Sequence, residues 1–470
     1  MTRTFNITGP CFDFEHYMLD AQGRVDDLRS LIDSRMYFVL HAARQSGKTT
    51  LLLDLMRDLE ANGQYYAIYC SLETLQEVGD RERGIRGIIA IISLMLEYHA
   101  ELASHADTFG ETPPSTDVTA LLGKKISRLC RSIDRPLVIL FDEVDCLSNG
   151  TLIAFLRELR QGYITRHMAP FAHAVMLVGM RDIRDFKMSV RPDRETLGPA
   201  SPFNVIRESR TLRNFERDEI ASLYNQHTEA TGQVLPDQVI NEVWHWTRGQ
   251  PWLVNAIAVQ IVERDLGNDH SKLITEDMVR PAVESLILRR DTHIDSLMER
   301  LKEERVRRII EPMILGEDHV FSPLDDDYCY ARDLGLVTKK NGGFAPSNPI
   351  YGEVIIRTLN ARSQAALEGD VYAYQSSRYE AKDGSLDVRH LLEDFQAFWR
   401  EHSEIWCETY QYREAAPHLV LLAFLQRVVN GGGRLDREFA TGRGRIDVCI
   451  HWREWFIRLL RVSSRGASRS

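Results

Sequence analysis

The fold of this chain is decided by the stretch Tyr37-Phe38-Val39-Leu40-His41-Ala42-Ala43-Arg44-Gln45-Ser46-Gly47-Lys48-Thr49. Its first five residues form a short apolar run, which predicts a buried β-strand. From Thr49 to Leu59 the apolar residues recur at helical spacing, which predicts an α-helix. The loop between the two is made of small and polar residues. The stretch is therefore predicted to be a strand–loop–helix unit.

The loop of this unit has the composition of a phosphate-binding loop. Consecutive backbone N–H groups at a helix N-terminus can surround phosphate oxygens, and the helix dipole there favours negative charge. Lys48 is predicted to reach the β- and γ-phosphates of a nucleotide, and the Thr49 hydroxyl to ligate Mg²⁺. Ala42 stands where the usual motif has its first glycine, and the alternative is a chance Gly-Lys-Thr after a strand. The predicted nucleotide-binding residues are Arg44, Gln45, Ser46, Gly47, Lys48, Thr49, Thr50 and Asp142.

A second apolar run, Leu137 to Phe141, ends in the acidic pair Asp142-Glu143. A carboxylate at the C-terminal end of a parallel strand lies in the crevice where open sheets bind ligands. Asp142 is predicted to hold Mg²⁺ through water, and Glu143 to act as general base on the attacking water. By itself such a pair also fits an ordinary strand that leads into a helix cap. Its place downstream of a phosphate-binding loop favours ATP binding, with Thr49 and Asp142 as the magnesium residues.

Two further apolar runs, Tyr65 to Cys70 and His173 to Val178, are predicted strands, and helical patterns occupy Ile85 to Ala103 and Val118 to Ile133. Strands that alternate with helices predict an α/β fold with a parallel sheet covered on both faces.

Arg181 follows the last of these strands. It should therefore emerge on the same edge of the sheet as Asp142, where a cation could stabilise charge that develops on the γ-phosphate. A salt bridge with Asp182 or Asp185 is the alternative.

Composition limits the classes of function. The net charge of −10 argues against a general affinity for polyanions, although it leaves a local basic patch open. The seven cysteines include no Cys-x-x-Cys pair, which is typical of reduced thiols. We find no apolar signal core at the N-terminus and no long charge-free run. A cytoplasmic location without membrane contact is the expectation.

From about Asn214 the chain becomes helical, and the segment Thr247 to Pro251 separates two of the helices. Helical segments between Ile309 and Leu359 surround two short runs separated by the turn Asn341-Gly342-Gly343. Two helices followed by a short hairpin are typical of a winged helix. The predicted organisation is a nucleotide-binding core at 1–212, a helical lid at 213–290, a winged-helix-like module at 291–362 and an α/β C-terminal domain at 363–470.

The sequence resembles a bacterial family of AAA-like ATPases, whose neighbours are the STAND-type signalling ATPases and archaeal ATPases with a C-terminal PD-(D/E)xK nuclease-like domain. The resemblance implies a sensor role for Arg181 and a lid motif at Gly249-Gln250-Pro251. Independently of the resemblance, His16 and Tyr17 are candidates for packing on the adenine, for which core packing is the alternative. The segments that carry the resemblance are Gly9-Pro10-Cys11-Phe12, His16-Tyr17-Met18, Gly23-Arg24, Tyr37 to Leu51 and Leu177-Val178-Gly179-Met180-Arg181-Asp182.

The last hundred residues resemble the PD-(D/E)xK nuclease core at Glu414 and Asp447. Such a nuclease collects carboxylates around Mg²⁺ and needs a Glu-x-Lys on the next strand. Here Leu459 occupies the acid position and Arg461 the lysine position, and the terminus becomes abruptly rich in serine and arginine. We therefore expect a degenerate or truncated domain with only a vestigial nuclease site.

The leading hypothesis is an ATPase that acts as a molecular switch, in which Mg-ATP binds between the sheet and the lid. An ATP-gated DNA nuclease and a winged-helix DNA-binding regulator are the alternatives. The sequence leaves open whether the chain binds a protein partner, binds DNA through its C-terminal modules or forms an oligomer.

Overall fold

The computed structural model describes residues 3–180, 206–314, 325–340, 343–365, 379–381, 383–397, 421, 425, 433–439, 446–452 and 455–459. The chain divides into two compact units, Met1–Leu286 and Ile287–Ser470. In the described residues no helix is both long and apolar enough to cross a membrane.

The first unit alternates strands with helices. Its elements in chain order are α1 (Leu28–Asp33), β1 (Tyr37–His41), α2 (Lys48–Ala61), β2 (Tyr66–Ser71), α3 (Arg81–Tyr98), α4 (Ala106–Gly110), α5 (Leu121–Ser132), β3 (Leu137–Asp142), α6 (Asn149–Thr165), β4 (Ala174–Gly179), β5 (Ile206–Thr211), α7 (Arg217–Thr231), α8 (Asp237–Thr247), α9 (Pro251–Val259) and α10 (Val279–Arg289).

The five strands form one parallel sheet in the order β2-β3-β4-β1-β5. Two apolar clusters cover its faces, one built on α3, α5 and α6 and the other on α1 and α2. Strands β1, β3 and β4 are buried along their whole length, as expected for a parallel sheet with helices on both sides. The predicted α/β fold with a parallel sheet is confirmed.

The prediction missed one strand, β5. Its sequence includes Glu208 and Arg210, which form an ion pair at 2.8 Å, so the strand has no apolar run. Among the described strands it pairs only with β1, so it lies at the edge of the sheet. Charged residues suit such an edge because they discourage pairing with another chain. The four predicted strands are present: β1 has the predicted ends, and the ends of β2, β3 and β4 differ from the prediction by at most one residue.

Helices α7, α8 and α9 follow the sheet and form the region predicted as the lid. Helix α7 begins with a capping box in which the Glu219 side chain accepts a hydrogen bond from the Glu216 N–H at 2.7 Å. Helix α9 begins at Pro251, and the Gln250 side chain caps it by accepting from the Leu253 N–H at 2.6 Å. The turn before this cap contains Gly249 at φ +74°.

The second unit contains α11 (Thr292–Arg300), α12 (Glu304–Ile314), α13 (Asp326–Asp333), β6 (Val337–Lys340), β7 (Gly343–Pro346) and α14 (Pro349–Ala365). Strands β6 and β7 form an antiparallel hairpin at the predicted place. In the interior of this unit, the His293 ring and the Tyr351 hydroxyl are hydrogen-bonded at 2.7 Å. The winged-helix assignment stays a prediction.

Three strands near the C-terminus, β8 (Gly433–Phe439), β9 (Ile446–Trp452) and β10 (Trp455–Leu459), form an antiparallel sheet in the order β10-β9-β8. Asp447 lies in β9, where its register partner is Glu438 of β8. Leu459 ends β10 opposite Val448. Glu414 and Arg461 lie outside the described residues.

We predict that Gly249→Ala destabilises the protein by roughly 2–5 kcal/mol, since overpacking and a left-handed alanine each carry a cost. A Cβ at Gly249 would lie 1.8 Å from the Phe215 carbonyl oxygen, so the backbone must move. Gly232→Ala is the matched control. Gly232 has φ +79° but open space around its Cβ position, and only the conformational cost of roughly 1–2 kcal/mol applies there. Thermal unfolding of both variants is the measurement, and equal losses would contradict the prediction.

Candidate functional site

The loop between β1 and α2 has a backbone that requires unusual conformations. Gly47 has φ +94° and Gln45 has φ +56°, both in the left-handed region. A Cβ at Gly47 would lie 3.2 Å from Arg24 Nη1, so the position tolerates a side chain poorly. The predicted helix begins one residue earlier than expected, at Lys48, with Gly47 as its N-cap.

Four carbonyl groups of this loop are held by side chains. Lys48 Nζ donates to the Ala42 and Ala43 oxygens, at 3.0 Å each, and Ser46 Oγ donates to the Ala43 oxygen at 2.8 Å. The Gln45 oxygen accepts from Gln250 Nε2 at 3.3 Å. The Ser46 oxygen accepts from Arg24 Nη2 at 2.9 Å.

Two of these donors, Arg24 and Gln250, connect the loop to distant parts of the chain. Arg24 also donates to the Arg213 oxygen, through Nε at 2.9 Å and Nη2 at 2.5 Å, and its guanidinium lies 4.7 Å from the Phe215 ring centre. Burial lowers the pKa of Arg24 to about 10. Arg213 in turn forms hydrogen bonds at 2.6 and 2.8 Å with Glu219, in the first turn of α7. The loop is thus linked to the start of α7 and to the start of α9.

Lys48 is buried, with 6% of its surface exposed. Burial lowers the pKa of its ammonium group, while the carboxylates of Glu143, Asp142 and Asp145 raise it. The exposed side chain of Arg44 adds a further positive charge that lowers it. The site thus places one buried ammonium group among three carboxyl groups.

Asp142 lies at the end of β3, with 1% of its surface exposed. Its Oδ2 accepts from the Thr49 hydroxyl at 2.8 Å and from the Tyr69 hydroxyl at 3.1 Å. Its Oδ1 accepts from the Glu143 N–H at 3.0 Å. The structure therefore brings together Thr49 and Asp142, the two residues predicted to bind magnesium.

Glu143 follows directly, in a left-handed conformation with φ +54°. Burial raises the pKa of its carboxyl group, Lys48 lowers it, and the neighbouring Asp142 and Asp145 raise it further. Asp145 is oriented by the Met180 N–H, which donates to its Oδ2 at 2.5 Å. Met180 directly follows β4, and Arg181 lies outside the described residues.

These residues fit a nucleotide and a divalent cation. The first N–H groups of α2 have no partner within the helix, and they follow a glycine whose conformation admits a ligand closely. The Thr49 hydroxyl and the Asp142 carboxylate are hard oxygen ligands of the kind that Mg²⁺ prefers. The excess of carboxyl groups over ammonium groups favours a cation as well.

The N-terminal segment lies next to the beginning of α2. The Thr50 hydroxyl accepts from the Cys11 N–H at 3.0 Å, and the Trp252 indole N–H donates to the Ile7 oxygen at 2.9 Å. Tyr17 is 2% exposed and packs its ring at 4.9 Å from Phe5 and at 5.6 Å from His227.

The alternative of core packing therefore applies to Tyr17, which is fully enclosed. His16 Nδ1 accepts from the Phe12 N–H at 3.1 Å. Its contact with adenine stays a prediction.

Sequence analysis missed the contacts of Arg24, Tyr69 and Gln250. Arg24 and Gln250 stood in segments that carry the family resemblance, but their contacts with the loop span 22 and 205 residues. Tyr69 lies in the apolar β2 run, where an aromatic residue is usually core. The Gly23-Arg24 match to the family was the sequence signal that could have pointed to Arg24.

A five-stranded parallel sheet, a phosphate-binding loop after β1 and an acidic pair after β3 define the class of P-loop nucleoside triphosphatases. A family model described as an AAA-like domain matches residues 28–355. The chain belongs to this family. No curated protein sequence matches the chain.

Solved structures are similar to this chain at low identity. A Walker-type ATPase of Pyrococcus abyssi has a TM-score of 0.52 and 13% identity, covering 75% of this chain and 99% of its own. Cdc6p of Pyrobaculum aerophilum has a TM-score of 0.41 and 15% identity, and the match covers 75% of this chain and 97% of the other. The Orc1 protein of Aeropyrum pernix, solved in complex with DNA, has a TM-score of 0.38 and 15% identity. The match covers 76% of this chain and 96% of the other. At such low identity, the similarity to the Pyrococcus abyssi ATPase shows that the two chains share a fold.

Proposed function

We propose that the chain is an ATPase that works as a nucleotide-dependent molecular switch. The observation that carries the proposal is the pair of contacts from Arg24 and Gln250 to the carbonyl groups of Ser46 and Gln45. Through these contacts the loop that would bind phosphate shares hydrogen bonds with the first turn of the predicted lid and with the cap of α9. A change in the loop backbone would therefore change the hydrogen bonds of Arg24 and Gln250, and with them the contacts of the proposed lid.

The roles of the site residues follow from their chemistry. Lys48 would hold the β- and γ-phosphates, with Arg44, Gln45, Ser46, Gly47 and Thr50 completing the loop. Thr49 and Asp142 would hold Mg²⁺, and the Asp142 carboxylate is already placed beside the Thr49 hydroxyl. Bound Mg-ATP would supply the phosphoryl group, and its Mg²⁺ ion the positive charge that offsets the carboxylates. Glu143 would take a proton from water, and its raised pKa makes it a stronger base than an exposed glutamate.

Arg181 is proposed as the cation that stabilises charge on the γ-phosphate. Its position directly after Met180, whose N–H is bonded to Asp145, supports this role. β4 lies between β1 and β3, and its C-terminal end is therefore adjacent to both halves of the site.

Lys48 links the loop backbone to the proposed phosphate site. Its ammonium group donates to the carbonyls of Ala42 and Ala43. An ammonium group has three donors, so one is left to reach a phosphate oxygen. A γ-phosphate that drew Lys48 toward it would favour another arrangement of the loop, and a difference in nucleotide affinity between two arrangements is the condition for a ligand-driven switch.

We further propose the domain division made above, with a lid at 213–290, a winged-helix-like module at 291–362 and a degenerate nuclease-like domain at 363–470. The hairpin of β6 and β7 between α13 and α14 supports the winged-helix-like module. The antiparallel sheet that contains Asp447 supports the nuclease-like domain. The STAND-type relationship rests on the resemblance of sequence.

Lys48→Ala is expected to abolish ATP binding while the protein stays folded, because the charge of this lysine matches phosphate. Isothermal calorimetry measures binding, and circular dichroism checks the fold. Lys272→Ala, which removes an exposed lysine of the lid region, should bind like the unchanged protein. Unchanged affinity in Lys48→Ala would rule out the P-loop assignment.

Glu143→Gln should bind ATP normally and hydrolyse it at least about a hundredfold more slowly, the usual scale for loss of a general base. Phosphate release under single-turnover conditions is the measurement. Glu73→Gln is the control, since Glu73 is an exposed acid whose charge also acts on Glu143. If both variants hydrolyse ATP alike, Glu143 has only a structural role.

Arg24→Lys should retain ATP binding but lose the ATP-dependent change in amide exchange across α7 to α9. Lysine keeps the charge but lacks the planar fork that bridges the Ser46 and Arg213 oxygens. Hydrogen–deuterium exchange with and without Mg-ATP measures this. Arg217→Lys changes an exposed arginine of α7 that pairs with Asp237, and it should keep the full response. A full response in Arg24→Lys would contradict the coupling.

No cleavage of plasmid, linear duplex or single-stranded DNA is expected with Mg²⁺ or Mn²⁺, with or without ATP. Leu459 cannot ligate a hard cation, and Arg461 cannot readily transfer a proton. Gel electrophoresis of the products is the measurement, with Asp447→Ala as the control. Cleavage that disappears in Asp447→Ala would establish the nuclease alternative instead.

A further inference from the structure

A groove of about 530 Å³ lies between α5 and α6, on the first unit. Small residues on both helices keep it open, among them Gly123, Ser127 and Gly162. The Phe171 ring forms part of its wall and packs against Gly162, where a Cβ would meet the ring at 2.2 Å. The volume falls in the range of functional binding pockets.

The groove is lined by four basic side chains. Lys124, Arg128 and Arg131 come from α5, and Arg157 comes from α6. All four are exposed, and none has an ion pair with any of the residues that the structure describes. The four side chains thus form a local positive patch in a chain whose net charge is −10.

Glu158 is the one carboxylate among the described residues that line the groove. It is 9% exposed, and its Oε2 accepts from the Gly123 N–H at 2.8 Å, which ties it to the first turn of α5. Burial raises the pKa of its carboxyl group. It is thus hydrogen-bonded to the backbone, and among the described residues it forms no ion pair with the four cations.

The three cations of α5 are spaced four and three residues apart, so they lie along one side of the helix. Lys124 to Arg131 spans roughly 10 Å at a rise of 1.5 Å per residue. This row suits an extended series of negative charges. The groove beside it is lined by Ala120, Ala169 and the Phe171 ring, which offer apolar surface.

The combination favours a protein segment over a nucleic acid. A nucleic-acid backbone engages cations through phosphates and needs no apolar groove. An amphipathic helix places apolar side chains in a groove between two helices while its flanks carry charge.

We propose that the groove between α5 and α6 docks an acidic amphipathic helix of a partner protein. Carboxylates on the flanks of this helix pair with Lys124, Arg128, Arg131 and Arg157, and its apolar side chains occupy the groove. The residues of the groove include none of the predicted nucleotide-binding residues, and docking is therefore independent of ATP.

The test uses a fluorescein-labelled helical peptide of about four turns, with leucine and alanine on one face and glutamate on the others. Fluorescence anisotropy with the full chain should show saturable binding that weakens as salt rises. The same peptide with lysine in place of glutamate should not bind. Binding should persist in Lys48→Ala, so the result does not depend on the proposed ATPase function.

Two kinds of variant separate docking from simple charge attraction. Arg128→Glu with Arg131→Glu should weaken binding at least about tenfold, the effect of losing two favourable charge contacts. Arg57→Glu with Lys272→Glu makes the same change in net charge elsewhere and should leave affinity unchanged. Ser127→Phe fills the groove without changing its charge and should also weaken binding.

Three results would overturn the proposal. One is the absence of saturable binding by the glutamate peptide. Another is full binding by Ser127→Phe, which would reduce the site to a charged surface. The third is displacement of the peptide by a labelled DNA duplex whose own binding is lost in Arg128→Glu with Arg131→Glu, which would make the face a nucleic-acid site.

Discussion

The candidate site depends on one constraint, which is that buried backbone carbonyl groups need hydrogen-bond donors. The loop between β1 and α2 turns sharply, and the carbonyls of Ala42, Ala43, Gln45 and Ser46 have no strand or helix to pair with. Side chains satisfy them instead. Lys48 and Ser46 come from the loop and its helix, whereas Arg24 and Gln250 come from far along the chain. Residues far along the chain thus help to set the shape of the loop.

The second feature of the site is an excess of negative charge at the edge of the sheet. Parallel strands present their C-terminal ends on one side, and β3 brings Asp142 and Glu143 to the edge where β1 leads into the loop. One buried ammonium group, that of Lys48, faces these carboxyl groups, and burial raises the pKa of Glu143. The Thr49 and Tyr69 hydroxyls hold the Asp142 carboxylate in place. Such an arrangement is suited to receive a cation and a phosphate together.

The starts of α7 and α9 are linked to the loop by contacts of different kinds. Arg24 reaches the start of α7 through the Arg213 oxygen and, one step further, through the Arg213–Glu219 pair. Gln250 uses its two polar atoms in opposite directions, donating to the loop and accepting from the N–H of Leu253 in α9. Since each of these side chains is buried, the loss of one hydrogen bond leaves a polar group without water to replace it.

The sequence by itself determined the phosphate-binding unit, the acidic pair after β3, four of the five strands and their parallel arrangement. These are local features, since each rests on an apolar run and the residues directly beside it. Only the tertiary structure decided that β5 completes the sheet, that Tyr17 is enclosed, and that Arg24, Tyr69 and Gln250 join the site. The reason is physical, because a charged edge strand has no apolar run, and the partners of a loop carbonyl are fixed by how distant segments pack.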